Sequence, residues 1–122
     1  MPDPQPRVLV IDDDVPTVEL LAELLADEGY AVATARDVNG GLAANASHPA
    51  DVIILDLLLA DQDGTVFVER YRAAGGGAPI VVLSAARDAP RQAAAIGSAL
   101  VPKPFDVRDL LETVRSAVER SR

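Results

Sequence analysis

No cysteine occurs in the 122 residues, so disulfides and thiolate metal sites are excluded. Tryptophan is absent as well, and aromatic residues make up 3% of the chain. Basic residues are in the minority, 11 against 19 acids, giving a formal net charge of −8. A phosphate backbone is gripped by clustered Lys and Arg, so direct binding of nucleic acid by this chain is not expected. The longest apolar runs, Val52 to Leu55 and Leu57 to Ala60, are far too short to cross a bilayer. The opening M-P-D-P-Q-P-R has no apolar core of an export signal, which makes the cytoplasm the expected location and a membrane partner unexpected.

What is present is the balance of an ordinary globular domain, 49% hydrophobic and 25% charged, in a length suited to one core. A single domain over residues 1–122 is expected, with its core between about 6 and 120. Apolar runs alternate with amphipathic ones five times. Strands are expected at Arg7 to Ile11, Tyr30 to Thr34, Asp51 to Leu55, Ile80 to Leu83 and Ala99 to Val101. Helices are expected at Val15 to about Glu28, about Val38 to Ser47, Gly64 to Ala73, Ala89 to about Ile96, and Asp106 to Glu119. Asp14 and Asp88 are the expected caps of the first and fourth helices, and A-A-G-G-G-A after the third reads as a flexible connector. Strands without alternation, each followed by a helix, predict an α/β fold whose parallel sheet is covered on both faces.

In such sheets, functional groups gather at the carboxyl ends of the strands. The residues there are Asp12 and Asp13 after the first strand and Asp56 after the third. Ser84 follows the fourth, and Lys103 with Pro104 follows the fifth. Carboxylates brought together raise one another's pKa unless a cation neutralises them, and hard oxygens suit Mg²⁺. A lysine ammonium and a serine hydroxyl suit phosphoryl oxygens, and an aspartate can itself be the nucleophile.

These elements, V-L-V-I-D-D-D, then I-I-L-D-L-L-L-A-D-Q-D-G, then L-S-A and K-P-F, resemble the receiver domain of two-component response regulators, the CheY-like family. The resemblance implies a flavodoxin-like doubly wound (βα)5 fold with strand order 2-1-3-4-5. It implies Asp56 as phosphoacceptor, Mg²⁺ held by Asp12, Asp13, Asp56 and the Leu58 carbonyl, and Lys103 and Ser84 on the phosphoryl group. It also implies a cis Lys103–Pro104 bond. The expected partners are a sensor histidine kinase or histidine phosphotransfer protein upstream, and an effector protein on the helix 4, strand 5, helix 5 face downstream. The chain would assist only its own phosphorylation and dephosphorylation and is not expected to be an enzyme.

Three positions and the length of one stretch depart from the family pattern. Leu100 stands where an aromatic switch residue is usual, so that Ser84 and Leu100 form the expected switch pair. The stretch from Ser84 to Lys103 is about three residues short, nearly one helical turn. Ala60 replaces a common proline, and Pro102 enters the fifth strand. Two alternatives follow: a degenerate receiver that binds without switching, or the receiver portion of a longer regulator. An aspartyl phosphatase would need a second acid where Leu58 stands, and a calcium loop would need acids at Leu59 and Arg70. The glycine run lacks the Lys-Ser/Thr of a P-loop, and His48 reads as a solvated turn residue.

Overall fold

The computed structural model describes residues 5–60 and 62–121. Of the expected domain span, residues 1–4, Asp61 and Arg122 lie outside the described residues, as does the start of the N-terminal stretch read for export. Five strands, β1 (Arg7–Ile11), β2 (Ala31–Ala35), β3 (Val52–Leu55), β4 (Ile80–Ser84) and β5 (Ala99–Pro102), alternate with five helices. The helices are α1 (Val15–Asp27), α2 (Val38–Ser47), α3 (Gly64–Ala73), α4 (Ala89–Ile96) and α5 (Val107–Ser121). The strands pair in parallel in the order β2-β1-β3-β4-β5, the flavodoxin-like order expected from the sequence.

Strand residues alternate between two cores. Val8, Val10, Val52, Ile54, Val81 and Leu83 pack with Leu21 and Leu25 of α1 and with Leu110 and Val114 of α5. Leu9, Ile11, Ile53, Leu55, Ile80 and Val82 face Val38 of α2, Phe67 and Tyr71 of α3, and Ala93 of α4. With helices on both faces, no strand of the middle can alternate apolar with polar, which is why β3 and β4 are apolar throughout.

The element boundaries follow from where backbone groups find partners. Tyr30 was expected to open β2, but its N–H goes to the Leu25 carbonyl and closes α1 instead. At the other end, β2 runs on to Ala35, because the Ala35 carbonyl accepts the Asp12 N–H. Asp14 caps α1 as expected, accepting the Thr17 N–H at 3.2 Å. Asp88 does not cap α4 with its side chain. Pro90 in the first turn has no N–H to offer, the Ala89 N–H is taken by the Ala86 carbonyl, and Asp88 lies 3.8 Å from Arg91 instead. The glycine run is also no loose connector. Gly76 lies against the Tyr71 ring, where a side chain would collide, and the Tyr71 hydroxyl accepts the Ala78 N–H at 2.9 Å.

Gly64 fixes how α3 meets the end of β3. Its N–H donates to the Leu57 carbonyl, and a Cβ there would come within 2.6 Å of the Asp56 carbonyl oxygen and 2.8 Å of Leu57 Cα. Both obstacles are backbone and cannot rotate away. Gly64→Ala is therefore expected to lower stability by about 1–3 kcal/mol, the usual range for overpacking. Urea denaturation measures it, and an unchanged midpoint would mean that α3 yields without cost.

Candidate functional site

Asp12, Asp56, Ser84 and Lys103 stand at the carboxyl ends of β1, β3, β4 and β5, so the parallel sheet delivers them to one edge. Asp12, Asp56 and Ser84 are the buried polar residues among those described. Asp13 is half-buried beside them. Burying a carboxylate is unfavourable unless its oxygens are satisfied, and here they are satisfied in matching ways.

Each buried aspartate turns one oxygen to its own backbone and the other to lysine. Asp12 Oδ1 accepts the Asp14 N–H at 2.9 Å, and Asp56 Oδ1 accepts the Leu58 N–H at 2.9 Å. Lys103 Nζ donates to Asp12 Oδ2 at 2.8 Å and to Asp56 Oδ2 at 2.9 Å. Lys103 is the only lysine in the sequence, the other ten bases being arginines. A compact ammonium on a slender stem can enter between two carboxylates, whereas a planar guanidinium would force them into a bidentate fork. The Lys103 backbone is fixed by its N–H to the Ser84 carbonyl at 3.0 Å, and the Lys103–Pro104 bond is cis, as the resemblance implied. Ser84 Oγ accepts the Ala86 N–H at 3.1 Å, leaving its hydroxyl proton for another acceptor.

Protonation follows from this arrangement. Burial pushes the Asp12 carboxyl above its ordinary value, although hydrogen bonds from Lys103 and Asp14 pull the other way. Burial alone would lower Lys103, but its hydrogen bonds and charge attraction to Asp12 and Asp56 outweigh that and raise it. Three carboxylates face one ammonium, so a net negative charge is concentrated in a partly water-excluded place.

Asp12, Asp13 and Asp56 can each offer an oxygen, all within 4.8 Å of one another, which could hold a metal ion. Their chemistry fits a hard divalent cation: oxygen ligands only, with the excess charge that burial makes costly. Leu58 is on the same turn and is 60% exposed. Leu100 pairs with Val82 across β4 and β5, and is half-buried against the core shared with α3 and α4. His48 ends α2 as an exposed residue, away from the acid cluster in the fold, as expected.

The sequence reading assigned Asp14 to capping alone, yet its backbone N–H also orients Asp12. It overlooked the donors at Asp14 and Leu58 because every residue carries an N–H. The available signal was the spacing, since an Asp side chain readily bonds the N–H two residues on. Gly64 was also missed as the residue that lets α3 close on the Asp56 turn.

Comparison with known proteins agrees with the geometry. The family model of the response regulator receiver domain matches residues 8–115. The transcriptional regulatory protein KdpE of Mycobacterium tuberculosis is 39% identical over 117 residues, covering 93% of this chain and 51% of its own length. The uncharacterized transcriptional regulatory protein YbdJ of Bacillus subtilis is 34% identical over 115 residues, with the same shares covered. The chain therefore spans about half the length of the curated relatives it matches. Among solved structures, the receiver domain of the Francisella response regulator 1452 superposes with a TM-score of 0.87 at 25% identity, covering 97% of this chain and all of that one. The chemotaxis protein CheY4 of Vibrio cholerae gives 0.85 at 28% identity over 93% of this chain and 99% of its own. No helix among the described residues is long and apolar enough to cross a membrane. With its strand order, its buried aspartates joined by one lysine, and a family match across most of its length, the chain belongs to the response regulator receiver domain family.

Proposed function

We propose that Asp56 accepts a phosphoryl group from a phosphohistidine and that the chain signals this state to another protein. The observation that carries the reading is the clamp on Asp56. One carboxylate oxygen is held by the Leu58 N–H and the other by Lys103, at the carboxyl end of β3. In the transfer, an Asp56 oxygen forms the O–P bond, the N–P bond breaks, and its electron pair returns to the imidazole. Transfer of this kind needs positioning and charge neutralisation more than covalent help. Lys103 can follow the developing charge from the carboxylate to a phosphoryl oxygen, and the free Ser84 proton can be donated to another. Asp12, Asp13, Asp56 and the Leu58 carbonyl would hold Mg²⁺, which when bound neutralises both the carboxylates and the phosphoryl oxygens.

The chain itself then acts as a signalling domain in the cytoplasm rather than as an enzyme with a separate substrate. A sensor kinase or phosphotransfer protein would supply the phosphoryl group. The output would leave through the α4, β5 and α5 face, with Ser84 and Leu100 as its switch. Net charge −8 argues against nucleic acid as a direct partner of this domain. The complete Asp–Ser–Lys set favours a working receiver over a degenerate one. Beryllofluoride with Mg²⁺ tests this: the thermal midpoint is expected to rise, and the NMR signals of α4 and α5 to move. Silence of both would leave only a non-switching binding module.

Leu58 bears on the lifetime of the phosphorylated state. Its exposed apolar side chain stands next to Asp56 and offers an attacking water nothing to bond. Leu58→Asn supplies an amide that can hold that water, so a several-fold shorter phosphoryl half-life is expected in a radiolabel decay assay. An equal or longer half-life would show that the leucine is not the barrier.

A further inference from the structure

The two edges of the sheet are finished differently. At β5, Lys103 donates its N–H to the Ser84 carbonyl, so Leu100 and Pro102 turn their backbone groups outward, and Pro102 has no N–H to offer there. The other edge, β2, has no such device. Its sequence A-V-A-T-A carries no proline, no charge and no bulge, the features that keep an edge strand from pairing. Ala33 and Thr34 are exposed, so neither flanking helix covers the strand there.

The register fixes which backbone groups are free. The Ala31 N–H donates to the Pro6 carbonyl and the Ala35 carbonyl accepts the Asp12 N–H, so the alanines of β2 serve β1. Alternation then turns the N–H and C=O of Val32 and Thr34 to the free edge. These groups have no hydrogen-bond partner among the described residues. An antiparallel copy centred on Ala33 would set Val32 against Thr34 of the copy and Thr34 against its Val32, each pair exchanging both hydrogen bonds. The intervening pairs, where side chains come closest, are Ala33 with Ala33 and Ala31 with Ala35, which bring only methyl groups together. Arg36, exposed just past the strand, would stand opposite Tyr30 of the copy and near its Glu28, a ring face and a carboxylate that both suit a guanidinium. Parallel pairing would instead bring Arg36 toward Arg36.

We propose that β2 pairs antiparallel with β2 of a second copy of this chain, continuing the sheet across both copies. The edge is complementary to itself, as a two-fold interface requires, whereas an unrelated strand would meet the same donors with nothing placed for Arg36. The seam is short and each copy carries a net charge of −8, so the association is weak and depends on concentration. It lies at the opposite edge of the sheet from β5 and does not depend on the phosphoacceptor reading.

Sedimentation of the whole chain over a concentration series up to about 1 mM tests the pairing, the range in which weak complexes form. A monomer–dimer equilibrium is expected. Ala33→Lys and Ala33→Glu each put like charges face to face at the closest pair and are expected to weaken the dimer at least about tenfold, and an equal mixture of the two is expected to restore it. Ala33 is exposed, so the thermal midpoints of both variants should match wild type. Glu112→Lys controls for association through α5 and is expected to leave the affinity within about twofold. Hydrogen exchange gives a second signature. The Val32 and Thr34 amides are expected to slow as concentration rises, while the Ala31 amide, already donated to β1, keeps its rate. A chain that stays monomeric throughout, a dimer indifferent to both Ala33 variants, a mixture no tighter than either variant alone, or slowing confined to other elements would each overturn the proposal.

Discussion

Asp56→Asn is expected to abolish phosphoryl incorporation from every histidine kinase that labels the wild-type chain, while leaving the domain folded. An amide is no substitute for the carboxylate nucleophile, so the loss is total rather than graded. The fold survives because asparagine keeps the shape of aspartate and can still accept the Leu58 N–H at Oδ1. The amide nitrogen then faces Lys103, two donors meeting where a charge pair stood, which costs one hydrogen bond. Against that, one charge leaves a crowded group of three acids. These effects oppose each other, and stability is expected to stay within about 1–1.5 kcal/mol of wild type. Phosphotransfer from a panel of kinases, with thermal unfolding in parallel, measures both quantities. Label retained by the variant would move the acceptor to another residue, Asp12 or Asp13 first.

Lys103→Met is expected to give the second large effect, and one of opposite sign on two readouts. Phosphotransfer should slow by about 10²–10³, the usual loss when a fixed charge aimed at developing negative charge is removed. Mg²⁺ affinity should rise by about tenfold, because a positive charge in contact with two of the would-be ligands repels a second cation. In metal-free buffer the variant should be less stable by about 1–3 kcal/mol, since two buried carboxylates lose their shared donor, and Mg²⁺ should restore much of that. The pH dependence follows from the same contacts. Lys103 is raised, so its stabilising contribution is complete below its ordinary pKa and fades only as the pH climbs through the raised value. Asp12 is raised too, so the native state holds its proton more tightly than the unfolded chain does. Stability from that residue therefore falls as pH rises from its ordinary value through the raised one. Titration calorimetry with Mg²⁺ and a chelator-treated melt separate these claims. Unchanged metal affinity would mean that Lys103 does not act as the resident cation.

Much of this was legible in the residues. Unbroken apolar runs of four or five residues gave the strands of the middle, because residues facing helices on both sides have no polar face to show. The spans of α2 and α3 were readable from their flanking turns. The small errors fell where a backbone group had a choice of partner. Tyr30 could open a strand or close a helix, and Ala35 could end a strand or extend it to hold Asp12. Asp88 stood where a cap belongs, but the proline two residues on removed a donor it would have met.

By itself the sequence determined the alternation of strand and helix, and so which residues end the strands and gather at one edge of the sheet. It also determined the sign of the charge there, and that a single lysine would have to serve the acids. Only the tertiary structure decided which oxygen of each aspartate meets Lys103 and which its own backbone, and that α3 presses on the Asp56 turn through Gly64. The physical reason is range. Strand and helix periods are set by neighbours within a few residues, whereas Lys103 meets Asp12 across a separation of 91 residues and Asp56 across 47. Such contacts exist only once the sheet has fixed its strand order.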